Sequence, residues 1–367
     1  MTQIARWDIF CQVVDNLGDA GFCWRLAQEL ACAGLDITLW IDQPQVLELI
    51  AGESPPRVHV RSWREAQRHW AQSPPPQVLI ETFGCPLPPS VSEALQVQTT
   101  PPLWINLEHL AFSPSRLRTH AMPSPQWRAD LPPLPKWFFV PGWTPTSGGV
   151  LRESFVRQRQ AQFDGYQWLS SRGWAPRGAE KVVMAFCYAQ APLERLLQAW
   201  SDQPLLVLVA AGTPIELAAQ RLPGVRVIRL PWLAQREFDE LLWSCDLNIV
   251  RGEDSLVRAC WAAKPFLWQA YPRHDGGHLA DVGAWLDVLK SWGGGPDLQG
   301  WEAQCWSLNG HTHRAIESPW PHVWALRQAY IQLRDRLSAQ TTLLERLLSF
   351  VDHHRPSALA NQAPHRT

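Results

Sequence analysis

Residues 246–271, DLNIVRGEDSLVRACWAAKPFLWQAY, decide how the chain folds. The stretch opens with a short apolar run of strand type, 247–250. It turns through Arg251-Gly252-Glu253-Asp254 and continues with apolar residues at helical spacing, Leu256, Val257, Cys260 and Trp261. A second apolar run, 265–268, follows at once. Strand, glycine-containing turn, helix and strand in this close order make a parallel α/β unit. In open parallel sheets ligands bind where strands end and helices begin. Asp254 or Ser255 suits the N-cap of the helix, and the amides after it would point at whatever sits above the strand. Taken alone, Glu253 and Asp254 would more often cap a helix and favour its positive end. Two observations weigh the other way. Four polar side chains surround the glycine at the carboxyl end of a strand, and a second polar turn with glycines, 15–21, stands at the equivalent point near the N-terminus.

Working outward, the same alternation runs through most of the chain. Strand-like runs fall at 4–14, 36–41, 58–60, 78–82, 103–106 and 137–140, with a helix at 22–32 ended by Gly34 and a helical stretch at 152–172. A second series follows, with strands at 182–186, 205–209, 225–230, 247–250 and 265–268. Helices at 193–200, 215–221, 235–245 and 255–263 fit between them. Alternation of this kind builds doubly wound, Rossmann-like sheets. The expected division is a Rossmann-like unit at 1–172 and a linker at 173–180, with Pro176 inside it. A second Rossmann-like unit follows at 181–322, then helices at 323–352 that could pack back on the first unit. The polar, proline-containing stretch 353–367 reads as a disordered tail. Asp15–Gly21 would then line one wall of a cleft. Phe186 to Tyr188, the segment before Phe238 and Arg251 to Ser255 would line the other.

Composition limits the function. The chain has 367 residues, 46% of them hydrophobic, and a net charge of −1. That balance argues against a nucleic-acid protein with a general positive surface. No apolar run approaches the roughly 20 residues of a membrane span, and no signal-peptide pattern opens the chain. Eight cysteines without a C-x-x-C pair fit reduced thiols in the cytoplasm better than a disulfide framework. The 22 tryptophans, against 4 tyrosines, mostly occupy apolar faces such as those of Trp24, Trp200, Trp243 and Trp261, and read as core.

The turns offer specific chemistry. The first is no dinucleotide fingerprint, since Gly18 and Gly21 lack the glycine that G-x-G-x-x-G requires. It carries instead Asp15 and Asp19 around the amide of Asn16; a carboxylate at a cleft can orient a nucleophile or accept its proton, and it can equally cap the turn or the helix. Phe186 and Tyr188 end a strand where an aromatic wall could stack a base, or fill the core. Gln235 can read a base edge, bind a phosphate, or cap its helix. Glu253 and Asp254 suit ribose or sugar hydroxyls better than a diphosphate, and backbone amides beside them suit the phosphates. His311-x-His313 and His353-His354 lack the companions of a metal site, and neither a P-loop nor a G-x-S-x-G elbow is present.

At these residues the chain resembles the EarP family of bacterial protein-arginine rhamnosyltransferases. The likeness runs through Asp8-Ile9-Phe10-Cys11, Val14-Asp15-Asn16 with Gly18-Asp19, and Cys23-Trp24-Arg25-Leu26-Ala27. It continues in Trp104-Ile105-Asn106-Leu107-Glu108, Phe138-Phe139 with Pro141-Gly142, Arg251 to Ser255, and Lys264-Pro265-Phe266 with Tyr271-Pro272. The resemblance implies a GT-B fold, two Rossmann-like domains facing across a cleft, which periodicity alone does not separate from other two-domain α/β enzymes. It implies transfer of L-rhamnose from dTDP-β-L-rhamnose to an arginine of translation elongation factor P, with inversion and without metal or cofactor. It makes Asp19 the catalytic base, with Asp15 its companion. Asn16, Gly18, Phe186, Tyr188, Gln235, Phe238, Arg251, Glu253, Asp254 and Ser255 become the nucleotide-sugar pocket. The chain departs from the family at Leu17 and Ala20, where bulkier residues are expected. It departs again at His109, where the family has tyrosine, and at Gln269-Ala270, where the family has His-Ile. Two other readings stay open at this point: a glycosyltransferase with another acceptor or donor, and a non-catalytic protein that binds a translation factor.

Overall fold

Two sheets carry the fold. The computed structural model describes residues 5–354, apart from Asn16, 218–221, 294–297 and 312–315. The first sheet contains β1 (Arg6–Cys11), β2 (Asp36–Ile41), β3 (Val58–Ser62), β4 (Val78–Thr82), β5 (Leu103–Leu107), β6 (Pro123–Gln126) and β7 (Leu134–Phe139). Its spatial order is β3-β2-β1-β4-β5-β7-β6, parallel except for the antiparallel pair β6–β7. The second contains β8 (Lys181–Ala185), β9 (Leu205–Val209), β10 (Val225–Arg229), β11 (Leu247–Arg251) and β12 (Phe266–Gln269), parallel throughout in the order β10-β9-β8-β11-β12. In each sheet the winding reverses beside the first strand, β1 or β8, and that reversal opens a crevice at the strands' carboxyl ends.

The helices are α1 (Gly18–Cys32), α2 (Trp63–His69), α3 (Pro89–Val97), α4 (Pro114–Leu117), α5 (Val156–Ala161), α6 (Gly165–Ser171), α7 (Leu193–Trp200), α8 (Gln235–Ser244), α9 (Gly252–Ala262), α10 (His278–Trp292), α11 (Gln299–Leu308), α12 (Val323–Ser338) and α13 (Leu343–His354). Helices cover the sheets, so central strands such as β4 and β9 are buried at every residue; β9 reads as a continuous apolar run, and β4 does so until Glu81 and Thr82 at its carboxyl end. Helix α7 shows the complementary pattern: Leu193, Leu196, Leu197 and Trp200 form one buried stripe. Trp24, Trp200, Trp243 and Trp261 are all buried.

Several elements differ from the expectation. Strand β1 stops at Cys11, and residues beyond it leave the sheet toward the cleft. Helices α1 and α9 start at Gly18 and Gly252, earlier than the expected 22 and 255. Neither Asp254 nor Ser255 is therefore the N-cap of α9; Arg251 holds that position with no side-chain cap bond. Gly252, at φ 70°, turns the chain directly from strand to helix. The 152–172 stretch is two helices, and Asp164 caps the second through the Gln167 amide at 3.0 Å. The proline-rich segment supplies β6, an edge strand, where proline's missing donor does no harm. The helix expected at 215–221 is not formed at 215–217, and 218–221 lie outside the described residues.

The C-terminal helices part company. Helix α12 packs into the second core through Leu326, Tyr330, Leu333 and Leu337. Helix α13 returns to the first core through Leu343, Leu347, Phe350 and Val351. Phe350 meets Trp137 and Phe139 edge-on, with centroids 5.8 and 5.7 Å apart. The break between them is sharp because Thr342 and Glu345 cap α13 reciprocally, with Glu345 Oε2 accepting from the Thr342 amide at 2.7 Å and Thr342 Oγ1 from the Glu345 amide at 3.3 Å. His353 and His354 belong to α13, and 355–367 lie outside the described residues.

Candidate active site

A cavity of about 520 Å³ lies between the two sheets, lined from both sides by the ends of β1, β5, β11 and β12 and the first turns of α1, α8 and α9. The loop after β1 folds back over α1 because Asp19 Oδ2 accepts from the amides of Val14 (2.8 Å) and Asp15 (2.9 Å). Asp19 is buried, lines the cavity, and uses only that one oxygen among the described residues. Gly18, the first residue of α1, lets the loop close: a Cβ there would stand 3.3 Å from Asp15 Oδ2. Asn16 lies outside the described residues.

Asp15 is the first bridge between the halves. Its Oδ2 accepts from the Tyr188 hydroxyl at 2.8 Å. Burial pushes the Asp15 carboxyl above its ordinary value; the Tyr188 hydrogen bond and the Arg251 charge pull it back, while Asp19 and Glu253 push it further up. Burial and Asp15 together raise the Tyr188 phenol, so Tyr188 stays the donor of this bond. Gly252 sits directly against the pair; a Cβ there would lie 3.3 Å from the Tyr188 oxygen and 3.5 Å from Asp15 Oδ2. The two polar turns thus meet in one crevice. Tyr188, expected to help form an aromatic wall, is not among the cavity-lining residues, and its hydroxyl is committed to Asp15.

The second wall is aromatic. Phe186 and Phe238 meet edge-on at 5.6 Å and both line the cavity. The Arg251 guanidinium lies over Phe186 (4.2 Å) and Tyr188 (4.8 Å) and donates to the carbonyls of Cys187 (3.0 Å) and Gly212 (3.2 Å). Arg251 is therefore clamped in place as a fixed charge. Gln235 donates from Nε2 to the Gly21 carbonyl (2.8 Å), which ties α8 to α1, and its Oε1 is buried without a partner among the described residues. A buried acceptor left open beside a cavity is suited to a ligand's N–H. Glu253 is a second bridge, because its Oε2 accepts from the Leu110 amide at 2.7 Å and stands 3.4 Å from His109 Nδ1. Asp254 also lines the cavity, with Oδ2 3.6 Å from Arg25 Nε, and burial raises its carboxyl against the pull of Arg25 and Arg258. Ser255 is buried in the first turn of α9 and lines the cavity. The sugar-hydroxyl role expected of Asp254 meets a carboxylate already turned toward an arginine.

Sequence reasoning missed several residues that line the same space. Phe83 lies at φ 59°, a conformation that costs a side chain about 1 kcal/mol or more, and its ring stacks on His109 at 4.3 Å. Glu108, Phe112 and Tyr271 also reach the cavity. Arg25 lay inside a quoted motif but carries no periodic signal of its own. Among the described residues no group of three or more His, Cys, Asp or Glu side chains is placed to hold a metal ion. His354 packs on Phe350 at 4.0 Å, His311 packs against Trp306 at 5.7 Å, and His313 lies outside the described residues.

A family model described as Elongation-Factor P (EF-P) rhamnosyltransferase EarP matches residues 7–352. The protein-arginine rhamnosyltransferase of Pseudomonas aeruginosa is 38% identical, with 78% of this chain and 82% of the relative covered. That of Pseudomonas putida is 35% identical, over 89% of this chain and 95% of the relative. A solved structure described as the structural basis for EarP-mediated arginine glycosylation of translation elongation factor EF-P superposes with a TM-score of 0.65. The two are 26% identical, over 95% of this chain and 99% of that one. Arabidopsis thaliana UGT89C1 complexed with UDP-L-rhamnose gives a TM-score of 0.51 at 11% identity, covering 96% of this chain and 99% of that one; this is a likeness of fold. Two winding α/β sheets facing across a cleft are here the GT-B fold.

Proposed function

Since the chain belongs to the EarP family of elongation factor P rhamnosyltransferases, we propose that its cavity holds dTDP-β-L-rhamnose on the second sheet and presents it to the carboxylate of Asp19 on the first. The protein is a glycosyltransferase that moves rhamnose to an arginine side chain of that factor. Residues 1–172 supply the acceptor side and the base, and 181–322 supply the donor side. The observation that carries this reading is the direct contact of the two turns, Asp15 against Tyr188 and Gly252, with Asp19 buried beside them.

The reaction is a single displacement with inversion. An arginine nitrogen attacks the anomeric carbon, the C–N bond forms, and the bond to the diphosphate oxygen breaks through an oxocarbenium-like transition state. Guanidinium is protonated below a pKa of about 12 and is a poor nucleophile. Asp19 grips its N–H groups, aims one nitrogen, and takes the proton as the bond forms. Asp15, held by Tyr188, adds negative charge beside the acceptor. Phe186 and Phe238 give the nucleobase an apolar wall, and the open oxygen of Gln235 accepts from its N–H edge. The first amides of α9 and the fixed charge of Arg251 take up the charge that builds on the departing diphosphate. Glu253, Ser255 and the glycine at 18 complete the sugar's surroundings, and Asn16 is assigned to the same pocket from the family motif.

No helix among the described residues is long and apolar enough to cross a membrane, and a translation factor as acceptor fits a cytoplasmic enzyme. The test is the intact mass of elongation factor P after incubation with enzyme and dTDP-β-L-rhamnose. A gain of one deoxyhexose on a single arginine is expected. No gain, or a gain from other nucleotide sugars only, would return the reading to another glycosyltransferase. Stable binding without any sugar would make it a non-catalytic partner.

A further inference from the structure

We propose that Arg25 is a positioning residue for glycosyl transfer, fixing the helix that bears Asp19 against the two helices that hold the donor. This rests on the function proposed above. Arg25 lies on α1, as Asp19 does, and its guanidinium meets carboxylates of both halves. Nη1 donates to Glu153 Oε1 (2.6 Å) and Asp239 Oδ2 (3.1 Å), and Nη2 donates to Asp239 Oδ1 (3.1 Å) and the Gln235 carbonyl (3.3 Å). Asp239 and Gln235 belong to α8. Arg258, on α9, grips the same two oxygens of Asp239 from Nε (3.0 Å) and Nη2 (2.9 Å), and its Nη1 donates to Glu153 Oε2. One carboxylate of α8 is thus clamped on both oxygens by an arginine of α1 and an arginine of α9. Glu153, on the segment that leaves the first sheet for α5, bridges both arginines as well.

The arrangement suits alignment better than adhesion. A buried ion cluster gains little over well-packed apolar side chains, because taking each charge out of water costs nearly what pairing returns. Its distinctive property is direction: each two-pronged arginine–carboxylate contact fixes angle as well as distance. Side-chain exposure of Arg25, Asp239 and Arg258 is 5%, 3% and 2%, so little solvent is present to blur it. The third nitrogen of Arg25 is spent on the same task. Its Nε, buried with no hydrogen bond, stands 3.6 Å from Asp254 Oδ2 and keeps that carboxylate on the α1 side of the first turn of α9. The base helix and the donor helices are consequently referenced to one set of atoms. A displacement of about 1 Å between a reacting pair costs on the order of 100-fold in rate, and a directional joint suits the holding of two separate sheets to that tolerance.

The experiment compares rhamnosyl transfer to elongation factor P by wild type, Arg25→Met, Arg25→Lys and the double variant Arg25→Met with Glu153→Gln. Donor affinity is read by calorimetry and Tm is measured in parallel. The double variant removes one charge of each sign, which restores balance without restoring the clamp. The expected result is a kcat lowered roughly 30- to 100-fold in Arg25→Met, with donor affinity within about threefold of wild type. The double variant recovers Tm but not kcat. Arg25→Lys keeps the charge but cannot span both Asp239 oxygens, and loses about tenfold; if Arg25→Met does not fold, this variant alone decides. Recovery of kcat together with Tm in the double variant, or full kcat in Arg25→Lys, makes Arg25 structural and overturns the proposal. A loss carried wholly by donor affinity overturns it too. Absence of transfer by wild type would instead remove the function on which it rests.

Discussion

The two halves of the molecule meet at many points, and two groups of these contacts are unlike. At the floor of the cleft Arg25, Asp239, Arg258 and Glu153 form a dry, multiply hydrogen-bonded charge cluster. At its mouth the joints are a phenol on Asp15 and an imidazole and an amide on Glu253. The His109 and Glu253 side chains keep 41% and 36% of their exposure, where water screens whatever they do. The difference teaches how a transferase can be rigid and accessible at once. Its floor tolerates no solvent and sets the spacing of the halves. Its mouth carries the exposed His109–Glu253 contact, which an arriving substrate can displace. Added salt should loosen the mouth and leave the floor alone, since screening acts on exposed charges.

The sharpest way to separate chemistry from joinery is Asp19→Asn, which keeps the side chain's shape and removes its proton acceptor. Transfer should fall about 10²- to 10⁴-fold, with donor affinity measured by calorimetry unchanged; weakened donor binding would place Asp19 in the donor pocket instead. Next comes the floor. Arg258→Met strands Asp239 and Glu153 beside a single arginine and should cost about 3–5 kcal/mol, seen as a lowered urea midpoint or Tm. A loss below 1 kcal/mol would mean that the cluster is not as dry as its geometry. At the mouth, Tyr188→Phe takes a hydrogen bond from a half-buried carboxylate, a loss of about 1.5 kcal/mol. The Tyr188 bond is one of the forces holding the Asp15 carboxyl down against burial. Its removal should therefore move the acid limb of the pH–rate profile to higher pH; a shift the other way, or none, would break the assignment.

The smallest effect is the His109–Glu253 contact. Burial pulls the His109 pKa down, but the hydrogen bond and charge of Glu253 outweigh it and leave it raised above 6.5. Asp19 adds to the rise and Arg116 opposes it. A group raised on folding stabilises below its unfolded value, so the contribution is full below pH 6.5 and disappears as pH climbs through the folded value. For a pair this exposed it should stay under about 1 kcal/mol. Comparing Tm of wild type and His109→Gln across that range reads it directly: the gap should narrow as pH rises, and a gap that widens would reverse the pairing.

Much of this was legible in the residues themselves. The segments 36–41, 78–82 and 205–209 and the helix 193–200 coincide with β2, β4, β9 and α7. Strands buried on both faces are mostly apolar, and helices laid on them carry one apolar stripe. The two polar turns announced themselves because each follows a strand at the point where its sheet reverses. What joins them did not. Asp15 and Tyr188 are 173 residues apart and Arg25 and Asp239 are 214 apart, and no local period encodes such a pairing. Asp254 misled for a related reason: an acidic residue after a glycine looks like a helix cap until a distant arginine claims it. The edge strand β6 was hidden by its own prolines, which are unfavourable in a central strand and harmless at an edge.

Helix α13 has a consequence for how the protein is made. The strands of the first sheet emerge from the ribosome well before it does, yet the core that they share with α1 is not complete until Leu343, Leu347, Phe350 and Val351 arrive beside Trp137 and Phe139. The half synthesised first is thus sealed last. Until then the nascent chain carries an open greasy face, and protease cutting at 339–342 in the mature enzyme would reopen the same face by releasing its lid.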